Sequence, residues 1–231
     1  MTTIGVLAVQ GAFIEHEDML RSLGADCFEI RKASDADREM DGLVLPGGES
    51  TVQGKLMRDL GIFDRLRERI VGGLPVFGTC AGMILLAEHI SNDDRVHFGT
   101  MPITVKRNAY GRQLGSFSDK GSFGNISEVP LEFIRAPYIE SMGDGVEVLT
   151  VCKGKTVAAR YGNQLVTAFH PELTDDTKVH EYFLSMISNH RQRLDFKVVP
   201  SFGGLESITE EQIRKNIADY PYVMGKLKNC R

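Results

Sequence analysis

Through the first ninety residues, short apolar runs that break at glycine alternate with apolar residues at helical spacing. Ile4-Gly-Val-Leu-Ala-Val9 stops at Gln10-Gly11, Leu43-Val-Leu45 at Pro46-Gly47-Gly48, and Pro75-Val-Phe77 at Gly78, while Cys27-Phe-Glu-Ile30 is a further run. Runs this short, without polar alternation, suit strands covered on both faces, the condition of a parallel sheet. Between them Ile14, Met19, Leu20 and Leu23 recur at helical spacing until Gly24, and helical patterns cover residues 53–60, 64–71 and 81–89. Strands and helices in alternation predict an α/β fold on a largely parallel sheet.

The pattern changes after Thr100. Residues 101–105, 146–151, 156–161 and 164–169 read as strands, with Gly162-Asn163 as a hairpin turn, so an antiparallel extension of the sheet is expected. The segment 115–129, rich in Ser, Gly and charge, reads as a loop. Residues 176–190 form a closing helix with Val179, Phe183, Met186 and Ile187 on one face. The expected organisation is a domain over residues 1–191 and a C-terminal extension over 192–231. Within the extension, Ser207 with Glu210 and Thr209 with Gln212 make overlapping capping boxes, which predict a short amphipathic helix over 209–218 after an irregular 200–204 linker.

A chain of 231 residues that is 42% hydrophobic can bury a sizeable core. Its formal net charge of −4 and lack of a basic block argue against a nucleic-acid partner. No apolar run approaches the ~20 residues needed to cross a bilayer, and the first residues lack the features of a signal peptide. A cytoplasmic protein without a membrane partner is expected. Cys27, Cys80, Cys152 and Cys230 are scattered without a CxxC pair, which suits neither a zinc site nor a disulfide framework.

One cysteine has distinctive surroundings. Gly78-Thr-Cys-Ala-Gly82 lies between an apolar strand and a helix, the Gly-x-nucleophile-x-Gly elbow with cysteine in place of serine. Small neighbours are needed there because the nucleophile sits in a strained conformation and backbone must approach closely. The N–H of Ala81 is placed to meet an oxyanion at the attacked carbon. Of six histidines, only His170 follows an apolar strand directly, and Glu172 two residues on is placed to orient it. Pro46-Gly-Gly-Glu-Ser50 ends another strand with two glycines whose N–H groups can face an anion. A nucleophile, a base and an anion-binding turn at strand ends point to acyl transfer from an amide or ester.

Six segments together extend this reading: Val9-Gln-Gly-Ala-Phe-Ile-Glu-His16, Leu45-Pro-Gly-Gly-Glu-Ser-Thr51, Gly78-Thr-Cys-Ala-Gly82, Arg107-Asn-Ala-Tyr-Gly-Arg-Gln113, Ile134-Arg-Ala-Pro137 and Phe169-His-Pro-Glu-Leu-Thr174. With them the chain resembles, from about Thr3 to His190, the glutaminase subunits of pyridoxal 5′-phosphate synthases, a branch of the class I, triad-type glutamine amidotransferases. The resemblance implies a flavodoxin-like three-layer α/β sandwich and glutamine hydrolysis by a triad of Cys80, His170 and Glu172. It further implies a glutamine site of Gly48, Glu49, Ser50, Arg107, Ile134 and Arg135, with Gln10 nearby. Gly48 and Ala81 would form the oxyanion hole, after an adjustment of the Gly47–Gly48 peptide. No metal or organic cofactor is implied. The implied partner is a synthase subunit that accepts the ammonia; another biosynthetic acceptor, or a non-catalytic module on the same fold, are the alternatives at this point.

Overall fold

The computed structural model describes residues 1–107 and 116–198. The chain divides into two compact units, Met1–Arg193 and Leu194–Arg231. The expected helix over 209–218 and its 200–204 linker lie outside the described residues, as do positions 108–113 of the Arg107 segment and Cys230.

In chain order the elements are β1 (Thr3–Leu7), α1 (Phe13–Ser22), β2 (Asp26–Ile30), α2 (Ala33–Ala36), β3 (Gly42–Leu45), α3 (Ser50–Asp59), α4 (Phe63–Val71), β4 (Val76–Thr79) and α5 (Ala81–Leu86). There follow β5 (Ala87–Ile90), β6 (Met101–Lys106), β7 (Ser116–Phe123), β8 (Ile126–Ile134), β9 (Tyr138–Met142), β10 (Glu147–Cys152), β11 (Lys155–Tyr161) and β12 (Gln164–Thr167). A 3-10 turn at Pro171–Leu173 and α6 (Lys178–Val198) complete the described chain.

Among the described residues, ten strands join one sheet in the order β2-β1-β3-β4-β12-β11-β9-β6-β5, with β10 paired to β11. The run from β2 to β12 is parallel, and β11, β12 and β9 pair antiparallel beyond it. An order of 2-1-3-4 with helical crossovers is the flavodoxin-like, doubly wound arrangement. Its inner strands are covered on both sides, and every residue of β3, β4 and β12 is buried. The fold class is therefore the one expected, a mostly parallel α/β sheet with an antiparallel extension.

Four local expectations change. On α1 the buried residues are His16, Glu17 and Leu20, with Met19 and Leu23 half-buried and Ile14 56% exposed, so the buried face is partly polar and Ile14 lies off it. The helix after Cys80 ends at Leu86, because Ala87–Ile90 pairs in parallel with β6 and takes its hydrogen bonds from that ladder. The segment read as a loop, 115–129, contains β7 and the start of β8, an antiparallel pair. The outward positions of β7 are Ser and Lys, which hide the alternation, while Val129, Leu131 and Phe133 of β8 are buried. The closing helix, expected over 176–190, runs from Lys178 to Val198.

Candidate active site

In a 2-1-3-4 sheet the direction of winding reverses between β1 and β3, which opens a crevice beyond their carboxyl ends. Gln10–Ala12 follow β1 and Pro46–Ser50 follow β3. Cys80 follows β4, the next strand, and His170 lies three residues beyond β12, the one after that. Four neighbouring strands thus deliver these groups to one rim. The side chain of Gln53 joins two of the turns, its amide donating to the carbonyls of Gln10 (2.8 Å) and Pro46 (3.1 Å).

Cys80 sits at φ 48°, ψ −94°, a conformation L residues rarely adopt, and it caps α5. Its own N–H donates to the Thr167 carbonyl at 2.7 Å, which ties the elbow to β12. The flanking glycines are needed for contact. A Cβ on Gly82 would run into the Leu45 carbonyl, and one on Gly78 would come 2.7 Å from the Gly82 backbone.

His170 and Glu172 are both buried. His170 Nδ1–H donates to Glu172 Oε1 at 2.7 Å, which leaves Nε2 for the hydrogen bond with Cys80. Burial opposes a charge on the ring, but the hydrogen bonds to Cys80 and Glu172 and the negative charge of both outweigh it and push His170 up to about 10. Burial likewise opposes the Glu172 carboxylate, yet His16 and His170 beside it hold it below the usual carboxylate range. Cys27 contrasts with this centre, since burial pushes its thiol up to about 11. The Cys152 thiol is also raised, by burial and by its bond to Asp119.

Cys80 and His170 open onto a cavity of about 320 Å³ that is also lined by Gln10, Gly47, Gly48, Glu49, Ser50, Arg107, Ile134 and Arg135. The structure thus brings together every expected site residue except two: Glu172 stands behind His170, and Ala81 follows Cys80 in the elbow. Gly47 packs so closely on His170 that any Cβ there would overlap the imidazole. The Gly47 carbonyl accepts from Ala12 N–H at 3.1 Å, and Glu49 N–H donates to Gln10 Oε1 at 2.8 Å. Ser50 is buried, and its hydroxyl has no hydrogen-bond partner among the described residues. Arg107 already holds two carboxylates, Asp93 Oδ2 at 2.8 Å and Glu49 Oε1 at 2.9 Å.

Sequence reasoning missed Asp93, Gln53 and, above all, two histidines. His16 and His180 sit in helices, where histidine usually signals nothing, yet both are fully buried behind the triad. His16 Nδ1 lies 2.9 Å from His180 Nε2, and its Nε2 lies 3.1 Å from Thr79 Oγ1 and 3.4 Å from Glu172 Oε2. The only sequence signal was the presence of His16 in the Val9–His16 segment.

Comparison with known proteins agrees with this geometry. A protein of Desulfitobacterium hafniense (strain Y51) named pyridoxal 5′-phosphate synthase subunit PdxT is 59% identical over 186 residues, 80% of this chain and 94% of the relative. The protein of the same name from Methanocorpusculum labreanum is 57% identical over 185 residues, 80% of this chain and 97% of the relative. A crystal structure of a glutamine amidotransferase, 42% identical, superposes with a TM-score of 0.76 over 80% of this chain and 98% of its own. A glutamine amidotransferase from Thermotoga maritima, 15% identical, shares the fold at a TM-score of 0.54 over 86% of each chain. Residues 6–189 match the SNO glutamine amidotransferase family, and the chain belongs to that family.

Proposed function

We propose that the chain hydrolyses L-glutamine to L-glutamate and ammonia and delivers the ammonia to a pyridoxal 5′-phosphate synthase subunit. The observation that carries this reading is the Cys80–His170–Glu172 chain of hydrogen bonds, opening onto a cavity of about 320 Å³ beside a Gly-Gly turn. That volume suits a single amino acid. The named relatives support the choice of acceptor.

In this reading the Cys80 thiolate attacks the side-chain carboxamide carbon of glutamine. The oxyanion is met by the N–H groups of Gly48 and Ala81. His170 gives its proton to the departing nitrogen, so ammonia leaves and a γ-glutamyl thioester remains on Cys80. Thioester formation removes the charge of Cys80, one of the influences that kept His170 protonated. The imidazole is then free to take a proton from water, which attacks the thioester and releases glutamate. Glu172 orients the ring throughout and stabilises its cation. Glu49, Ser50 and Ile134 hold the substrate, with Ser50 offering a buried hydroxyl that is otherwise unpartnered. Arg107 and Arg135 meet the α-carboxylate, for which a guanidinium is well shaped. Because Arg107 is braced by Asp93 and Glu49, its side chain is already oriented before substrate arrives. The working compartment is the cytoplasm, where the free thiols Cys27 and Cys152 persist unpaired.

The test is ammonia release from glutamine by the full chain, with and without the synthase subunit. Cys80→Ala is expected to abolish it, while Cys27→Ala, Cys152→Ala and Cys230→Ala retain most of it. A glutamine-analogue alkylator is expected to label Cys80 alone. Activity that survives Cys80→Ala overturns the mechanism.

A further inference from the structure

The proton inventory behind the triad is tightly constrained. Glu172 uses Oε1 on His170, while Oε2 is buried with no hydrogen bond among the described residues and faces His16 Nε2 at 3.4 Å. A buried carboxylate oxygen needs a polar hydrogen aimed at it. His16 is fully buried and so is His180, and both pack edge-on against Phe77. Burial lowers the protonation of His16, with Glu172 and Glu15 opposing and His170 adding to the effect. His180 is lowered to about 3, by burial first and His16 second, against the pull of Glu172. Both rings are therefore neutral near pH 7, and each carries one N–H.

Only one arrangement of two protons avoids a clash. If His16 carried its proton on Nδ1 and gave it to His180, its Nε2 lone pair would face the carboxylate, and His180 Nδ1–H would be buried without an acceptor. In the other arrangement His180 Nε2–H donates to His16 Nδ1. His16 Nε2–H then donates to Thr79 Oγ1 and faces Glu172 Oε2 at 3.4 Å, and the unpartnered Nδ1 of His180 is a lone pair. His180 on α6 thus selects the tautomer of His16 on α1, and His16 presents its hydrogen to the acidic member of the triad.

We propose that His16 is a positioning residue of the glutaminase reaction, keeping Glu172 ionised and aimed at His170 while His180 locks the His16 tautomer. The inference rests on the glutaminase reading above. Its consequence is a pH signature. The ionisable groups facing this centre are Cys80 from the elbow, His170 and Glu172 from the loop after β12, His16 from α1 and His180 from α6, with Glu15 acting on His16. Without His16, Glu172 binds a proton at higher pH and supports the imidazolium less. The acid limb of the kcat profile therefore moves up and the alkaline limb moves down. Because His16 does not line the cavity, KM for glutamine is expected to hold.

The test measures kcat and KM against pH for the full chain with the synthase subunit, in wild type, His16→Leu, His16→Gln and His180→Phe. His16→Leu is expected to lower kcat about ten- to hundredfold, to change KM by less than about twofold, and to narrow the profile from both sides. Glutamine places an amide N–H close to the Nε2 position, so His16→Gln is expected to restore most of kcat and the width of the profile. His180→Phe keeps the edge contact with Phe77 and is expected to give a smaller loss in the same direction. Folding is checked by thermal melting and by alkylation of Cys80. A folded His16→Leu protein with the wild-type profile overturns the proposal, as does a loss that His16→Gln does not relieve. If His16→Leu does not fold, a wild-type profile in His180→Phe overturns it. An inactive wild-type complex would instead sink the glutaminase reading itself.

Discussion

Cys80 holds φ 48°, ψ −94° because its neighbours leave it no choice: its N–H is committed to Thr167, and Gly82 is pressed against Leu45. Strain of this kind persists only where the surroundings over-determine it. The same residue scale governs proton placement. Since the charge of Glu172 helps push His170 up to about 10, Glu172→Gln is expected to lower kcat by roughly 10²–10⁴ and to bring the alkaline limb of the pH profile down; pH-dependent steady-state kinetics check this. Stability follows the same shifts. The contribution of His170 is fully present below its ordinary value of 6.5 and is lost as pH rises towards about 10. His97 and His180 act in the opposite sense. They are lowered to about 4 and about 3, chiefly by burial, so between those values and 6.5 the unfolded chain takes up protons that the native one refuses. The urea midpoint is thus expected to fall from about pH 7 to about pH 5, and to fall less in His97→Gln. That Cys80 and His170 belong to one site was legible in the sequence, because a glycine-flanked cysteine and a His-Pro-Glu after an apolar strand leave a local trace. His16 left almost none, since a histidine in a helix looks alike whether it faces water or a buried carboxylate.

At the scale of elements, the elbow works because α5 and the end of β3 touch through Gly82. Gly82→Ala sets a new methyl group against backbone, which cannot swing aside. It is expected to cost about 1–3 kcal/mol of unfolding free energy, measured by denaturant titration, and to lower glutaminase activity. The β7–β8 hairpin has a different task. Its second strand ends at Ile134, next to Arg135 at φ 45°, and the backbone carbonyl of Glu132 accepts the His170 N–H at 2.8 Å, so the pair links one wall of the cavity to the His170 loop. This hairpin was unreadable beforehand. The outward positions of its first strand carry Ser and Lys, residues with weak strand preference, and what stabilises it is the ladder to its partner strand. The strand Ala87–Ile90 was mistaken for helix for a related reason, because its pairing with β6 outweighs local propensity.

At the scale of the molecule, the site depends on four strand ends meeting, and in the proposed mechanism its readiness turns on one peptide. The Gly47 carbonyl is tied to Ala12 N–H, so turning the Gly47–Gly48 plane breaks one backbone hydrogen bond, about 0.5–1.5 kcal/mol net. A docked partner can supply that much. The isolated chain is therefore expected to hydrolyse glutamine slowly, and the synthase subunit to raise kcat by ~10²–10³, the worth of one oxyanion donor. Equal turnover with and without the subunit, in a single-turnover assay, would remove this account. The triad and the cavity lie wholly within Met1–Arg193. A chain ending after Val198 is accordingly expected to fold and to hydrolyse glutamine with the synthase present.

The sequence by itself determined the alternation of buried strands and helices, the tight turns at their ends, and the placement of Cys80 and His170 at strand ends. These are matters of local spacing, residue size and backbone freedom, which a linear pattern records. Only the tertiary structure decided that β1, β3, β4 and β12 stand side by side, that Gln53 joins two of their turns, and that α1 and α6 bring His16 and His180 behind Glu172. Strand order and the burial of polar side chains arise from contacts between residues far apart in the chain. Their energies come from removing water around both partners at once, and no single segment carries that information.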